Sequence, residues 1–113
     1  MIPKIEKNLT NLVVCLTTFS KMSFAEKCAK KLIEDKLAAC VQVLPKMKSF
    51  YEWEGALRKE SEVLMLIKTT ADLSEKIQEY FLEAHPYEVP EFIVLSVAEA
   101  SEKYVEWVNQ ATL

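Results

Sequence analysis

Leu12 to Thr18 is a short run of apolar and β-branched residues with no charged position in it, the pattern of a strand buried on both faces. From Ala25 the period changes. Ala25, Cys28, Ala29, Leu32, Ile33 and Leu37 recur at three- and four-residue spacing, which puts them on one face of a helix. Ser23 and Glu26 stand in capping-box register at its start. Cys40 to Trp53 returns to strand character, interrupted at Pro45, whose missing N–H predicts a bulge or a sheet edge. Gly55, the sole glycine, lies between this stretch and the apolar run Val63 to Ile67, so a long hairpin is expected to turn at Glu54-Gly55-Ala56. Leu73, Ile77, Tyr80, Phe81 and Ala84 mark a second helix, with Asp72 or Ser74 to cap it and His85-Pro86 to stop it. Phe92 to Val97 reads as a fourth strand, and Ser101 as the cap of a short terminal helix carrying Tyr104, Val105, Trp107 and Val108.

The order β, α, β, β, α, β, α predicts an α+β ferredoxin-like βαββαβ sandwich with an extended hairpin and a short C-terminal helix, one domain over residues 1–113. Right-handed crossovers place both main helices on one face of a four-stranded sheet. A strand from Cys40 to Trp53 spans on the order of 45 Å at ~3.3 Å per residue, against a radius of gyration near ~13 Å for a domain of this size. The hairpin therefore overhangs its own core, exposing Phe50, Tyr51, Trp53 and Leu57, and predicts an oligomer whose hairpins dock across subunits. A sharp bend at Pro45 is the alternative.

Composition narrows the function. Half the residues are hydrophobic, with one glycine and four prolines, the balance of a folded chain with few loops. The net charge is -3, and Arg58 is the single arginine among 14 basic residues, so the guanidinium forks that read phosphates and guanine edges are nearly absent and nucleic-acid binding is not expected. Cys15, Cys28 and Cys40 are an odd set without C-x-x-C spacing, which fits reduced thiols in a cytoplasmic protein better than a disulfide scaffold. Met1 to Lys7 has no apolar h-region and no apolar run approaches the ~20 residues of a membrane span, so neither a signal peptide nor membrane insertion is expected.

Chemistry concentrates in His85-Pro86-Tyr87-Glu88-Val89-Pro90-Glu91, where two prolines stiffen a loop bearing the sole histidine, a tyrosine and two carboxylates. His85 divides evenly between a site residue and a plain helix stop. A complete zinc site within one subunit is not expected, but His85 with Glu88 or a thiol from elsewhere suits copper. The three cysteines read first as small buried hydrophobes. Lys68, after the run Val63 to Ile67, either lines a cleft for a small ligand with Tyr87 and Glu91 or simply pairs with Glu91. No G-x-S-x-G elbow, glycine-rich phosphate loop or RNA-recognition motif is present in the sequence, so no enzyme is expected.

Four stretches carry a specific likeness across roughly Leu12 to Val108: Lys31-Leu32-Ile33-Glu34-Asp35-Lys36-Leu37-Ala38-Ala39-Cys40-Val41, Tyr51-Glu52-Trp53-Glu54-Gly55, Ser61-Glu62-Val63-Leu64-Met65-Leu66-Ile67-Lys68-Thr69, and the His85 to Glu91 loop. Together they resemble the divalent-cation tolerance protein CutA family. The resemblance implies a tight trimer, similar in architecture to the nitrogen-regulatory PII signalling trimers, that acts without catalysis in metal tolerance or response, with copper as the suspected ligand. On this reading Trp53, Lys68, Tyr87 and Glu91 line inter-subunit clefts, and His85, Cys15 and Glu88 are the metal candidates. His85 matches the family's histidine; the cysteine often found near the end of strand one falls at Thr17 here, with Cys15 two residues earlier on the same strand face, about 7 Å away. The alternative is a trimeric assembly or anchoring protein with no ligand of its own, serving an unidentified protein partner. A trimer with paired hairpins is also expected to be unusually heat-stable.

Overall fold

The apolar run at the start of the pattern forms β1 (Leu12–Phe19) in a computed structural model that describes residues 10–113. Met1 to Lys7, where no signal peptide is expected, lies outside those residues. There follow α1 (Met22–Glu34), β2 (Cys40–Trp53), β3 (Ala56–Thr70), α2 (Ala71–Ala84), β4 (Ile93–Ser96) and α3 (Glu102–Ala111). The strands make one antiparallel sheet in the order β2-β3-β1-β4, the ferredoxin-like α+β arrangement with one appended helix.

Alternation along the central strands sorts the residues by face. Val13, Cys15 and Phe19 of β1 and Val63, Met65 and Ile67 of β3 join Ala25, Cys28 and Leu32 of α1 and Ile77 and Phe81 of α2 in one buried cluster. Both main helices thus cover the same face. The other face carries Leu16, Leu64 and Leu66 in register and is only half covered: on β1 Leu12 and Thr18 are buried there, while Val14 and Leu16 are half-buried. On that side α3 packs against β3, burying Val108 and exchanging side-chain hydrogen bonds between Asn109 and Asn11.

Two helix starts differ from the sequence reading. Helix α1 begins with Lys21 as the cap residue and no side-chain cap bond; the Ala25 N–H already bonds the Lys21 carbonyl at 3.2 Å. Packing of Met22 and Phe24 against the core draws the first turn forward and leaves Ser23 inside it. Helix α2 follows β3 with no loop, its cap residue being Thr70, whose hydroxyl donates to Asp72. Ser74 donates back to the Ala71 carbonyl, so neither Asp72 nor Ser74 is the cap. Ser101 does cap α3, accepting from the Tyr104 amide.

The hairpin turns at Glu54 and Gly55, both at positive φ (51° and 80°), the two-residue turn that matches strand twist. Pairing is irregular between Leu44 and Met47, so Pro45 sits at a bulge on an edge strand. Strand β3 runs back to Ala56, well before the apolar run, because Arg58 to Glu62 remain in ladder with Tyr51 to Met47. Pairing of β1 with β3 ends at Phe19 and Val63, so the remainder of the hairpin pairs only with itself and overhangs. The radius of gyration of 15.6 Å exceeds the ~13 Å expected of a compact domain of this length, and the extents of 45 × 38 × 23 Å show the elongation.

Candidate functional site

Between the overhanging hairpin and the loop after α2 lies a cleft of about 740 Å³, lined by Tyr51, Trp53, Arg58, Glu62, Tyr87 and Glu91 among others. Strand register builds one wall. Ser49, Tyr51 and Trp53 face the same side as Glu62, Glu60 and Arg58, because Ser49 pairs with Glu60 and Tyr51 with Arg58. The opposing wall is the proline-flanked loop that carries Tyr87, Glu88 and Glu91 across the end of β1.

His85 anchors that loop. Its amide bonds the Phe81 carbonyl as α2 ends, and its ring stacks on Phe19 at 4.4 Å with an 11° interplanar angle. Nε2 lies 2.8 Å from the Thr18 carbonyl, while Nδ1 accepts from the Tyr87 amide at 3.2 Å. A carbonyl only accepts, so Nε2 carries the proton and the imidazole is the neutral Nε2–H tautomer. Burial lowers the His85 pKa, opposed by the Thr18 carbonyl and the Glu62 charge. Two residues onward, the Tyr87 hydroxyl donates to Glu62 Oε2 at 2.7 Å, and burial together with that bond pushes the phenol pKa up.

The sequence-predicted residues separate into two groups. Trp53, Tyr87, Glu88 and Glu91 all line the cleft, and His85 stands directly behind it. Lys68 does not. It pairs with Val14 and Cys40, six residues along β3 from Glu62, or roughly 20 Å at ~3.3 Å per residue. Cys15 is fully buried in the core and burial pushes its thiol up to about 11. It is four residues from the Phe19 that stacks on His85, roughly 13 Å along the strand, so within one chain Cys15, His85 and Glu88 do not converge. Among the described residues no group of three His, Cys, Asp or Glu side chains is placed to hold a metal ion. Thr17, where the family resemblance implies a cysteine, is also fully buried, and its hydroxyl has no hydrogen-bond partner. The residues missed from sequence are Tyr51, Arg58, Glu60 and Glu62; the alternate spacing of the last three, opposite Tyr51 and Trp53 across the turn, was the available signal.

The family model of the CutA1 divalent ion tolerance protein matches residues 13–111. A divalent-cation tolerance protein CutA of Thermus thermophilus is 38% identical over 99 residues, 88% of this chain and 96% of its own. Protein CutA, chloroplastic, of Arabidopsis thaliana is 39% identical over 106 residues, 94% of this chain; the chain spans 58% of that relative's length. The crystal structure of CutA1 from Oryza sativa superposes with a TM-score of 0.88 at 33% identity, covering 93% of this chain and 96% of that one. No helix among the described residues is long and apolar enough to cross a membrane. With the fold, the overhanging hairpin and the His85 to Glu91 loop all in place, the chain belongs to the CutA1 divalent ion tolerance family.

Proposed function

We propose that the chain acts as a non-enzymatic homotrimer in divalent-cation tolerance or response, and takes a metal ion, copper foremost, or a small ligand in clefts between subunits. The observation that carries the assembly is the half-covered sheet face. Leu44, Ile93 and Leu95, exposed at 47%, 44% and 47%, extend the apolar stripe of Leu16, Leu64 and Leu66 across the strands. An apolar sheet face flanked by the open edges of β2 and β4 is the kind of surface a partner chain covers. The number three rests on the family resemblance.

The cleft lies where overhanging hairpins meet such a partner, so its missing wall comes from the next subunit. His85 offers Nδ1 to a cation at the expense of the Tyr87 amide bond, and Glu88 and Glu91 supply oxygens nearby. Any thiol or further donor comes from a neighbouring subunit. Three free cysteines support a reducing, cytoplasmic setting on this reading.

Calorimetric titration with copper(II) tests it, run on the protein and on His85→Ala with the mass followed by light scattering. Stoichiometric binding to a trimer that is lost in the variant is the expected result. A trimer that ignores copper in both forms overturns the metal reading. The second reading, an assembly or anchoring protein without a ligand, gains if His85→Ala or Glu91→Ala dissolves the trimer itself.

A further inference from the structure

The two walls of the cleft share one chemistry. Tyr51, Trp53 and Tyr87 present aromatic rings, and Glu60, Glu62, Glu88 and Glu91 present carboxylates, against Arg58 as the single cation on the lining. Glu62 is the buried member of the set, at 9% exposure. Its Oε2 is taken by the Tyr87 hydroxyl, while Oε1 receives no hydrogen bond among the described residues and is not sealed from solvent. Held on a largely buried side chain, that open oxygen attracts a cationic donor in the cleft more strongly than a surface carboxylate does. The rings point to the same kind of donor. On the opposite face of the hairpin Lys59 lies 5.9 Å above the Phe50 ring, so that aromatic has its own cation. No lysine is among the residues lining the cleft, where Arg58, the cross-strand neighbour of Tyr51, is the one cation against three rings and four carboxylates.

We infer that the cleft binds an organic ammonium cation, its N–H groups donating to Glu62 Oε1 and its charge held against Tyr51, Trp53 and Tyr87, with Glu60, Glu88 and Glu91 supplying the surrounding negative field. Aromatic faces select weakly hydrated organic cations, and the low-dielectric wall strengthens the carboxylate's pull. A cleft of about 740 Å³ admits a short aliphatic diamine with room for water. The inference rests on the reading of this cleft as a ligand site.

The test is calorimetric titration of the intact assembly with diaminobutane, beside a separate titration with copper(II). Saturable binding is expected, weakened about tenfold or more in Glu62→Gln, which keeps an acceptor for Tyr87, and in Trp53→Leu, which removes a ring. The control Glu75→Gln/Glu79→Gln, on the exposed side of α2, is expected to bind as the parent does. If the control loses as much affinity, the attraction is general charge and the inference falls. Copper binding without diamine binding overturns this inference and leaves the metal reading standing; failure of both overturns both. Where light scattering shows that Glu62→Gln or Trp53→Leu has lost the assembly, Glu91→Gln at an exposed position decides instead: weakened diamine binding supports the site, and unchanged binding overturns it.

Discussion

At the scale of single residues, the core holds one unpaired buried polar side chain among the described residues. Thr17 Oγ1 is buried without a partner on the face that also holds Cys15 and Phe19. A buried hydroxyl without a hydrogen bond costs about 1–3 kcal/mol, and valine has nearly the same shape. Thr17→Val is therefore expected to raise stability by about 1 kcal/mol, read as a higher denaturant midpoint at unchanged slope; a lower midpoint would show that the hydroxyl is bonded. His85 carries the second residue-level prediction. Its pKa is lowered below 6.5 chiefly by burial, so the unfolded chain takes up the proton first as pH falls. Stability is thus independent of this group above the unfolded value and declines as pH drops through and below about 6.5, until the folded form also protonates. His85→Gln should melt lower at neutral pH, having lost the Phe19 stack, yet lose less on acidification than the parent. Since His85 is the sole histidine, equal acid sensitivity in both proteins would sink the assignment.

At the scale of elements, periodicity located every helix and strand, while their ends were decided by tertiary contacts that a local motif does not encode. The capping box at Ser23 was overridden because Met22 and Phe24 gain more by packing than the helix gains from a serine cap. Polar Arg58 to Ser61 gave no strand signal, since both faces there are open to solvent and only the ladder to β2 holds them extended. Pro45 and Gly55 were legible because each acts through its own backbone: one removes a donor, the other accepts positive φ. The end of α1 was not. Lys36 N–H bonds the Ile33 carbonyl at 3.1 Å and Leu37 N–H the Leu32 carbonyl at 2.9 Å, a Schellman closure with Lys36 at φ 57° where glycine is usual. Lys36→Gly is expected to stabilise the protein by about 0.5–1 kcal/mol through relief of that conformation. Thermal melts at fixed protein concentration measure it, and a fall in midpoint would mean the lysine side chain contributes more than the strain costs.

At the scale of the whole molecule, the overhang followed from strand length alone, but the cleft needed the register. Trp53, Tyr87 and Glu91, expected in a ligand cleft, and Glu88, expected as a metal ligand, flank a turn and a proline-bounded loop and line one cleft, whereas Lys68, placed by its position after an apolar run, lies at the far end of β3. The half-covered face was invisible for a related reason: an apolar strand reads the same whether its second face meets a helix or another subunit. Leu66 distinguishes those cases. It sits half-buried between Leu16 of β1 and Gln42 of β2, on the side opposite the core under α1 and α2 and on the side where α3 packs, so a charge there spares the core under the two main helices. If this face is the subunit interface, Leu66→Asp removes a buried leucine and strands a carboxylate in apolar surroundings in every subunit. The expected cost is at least about 2 kcal/mol per subunit, roughly thirtyfold in association. Light scattering over a dilution series should then show the variant dissociating at concentrations where the parent keeps its full mass, with the melting point of the variant falling on dilution. A variant that keeps the parent's mass and melting point throughout would place the interface elsewhere and leave the apolar face to a different partner.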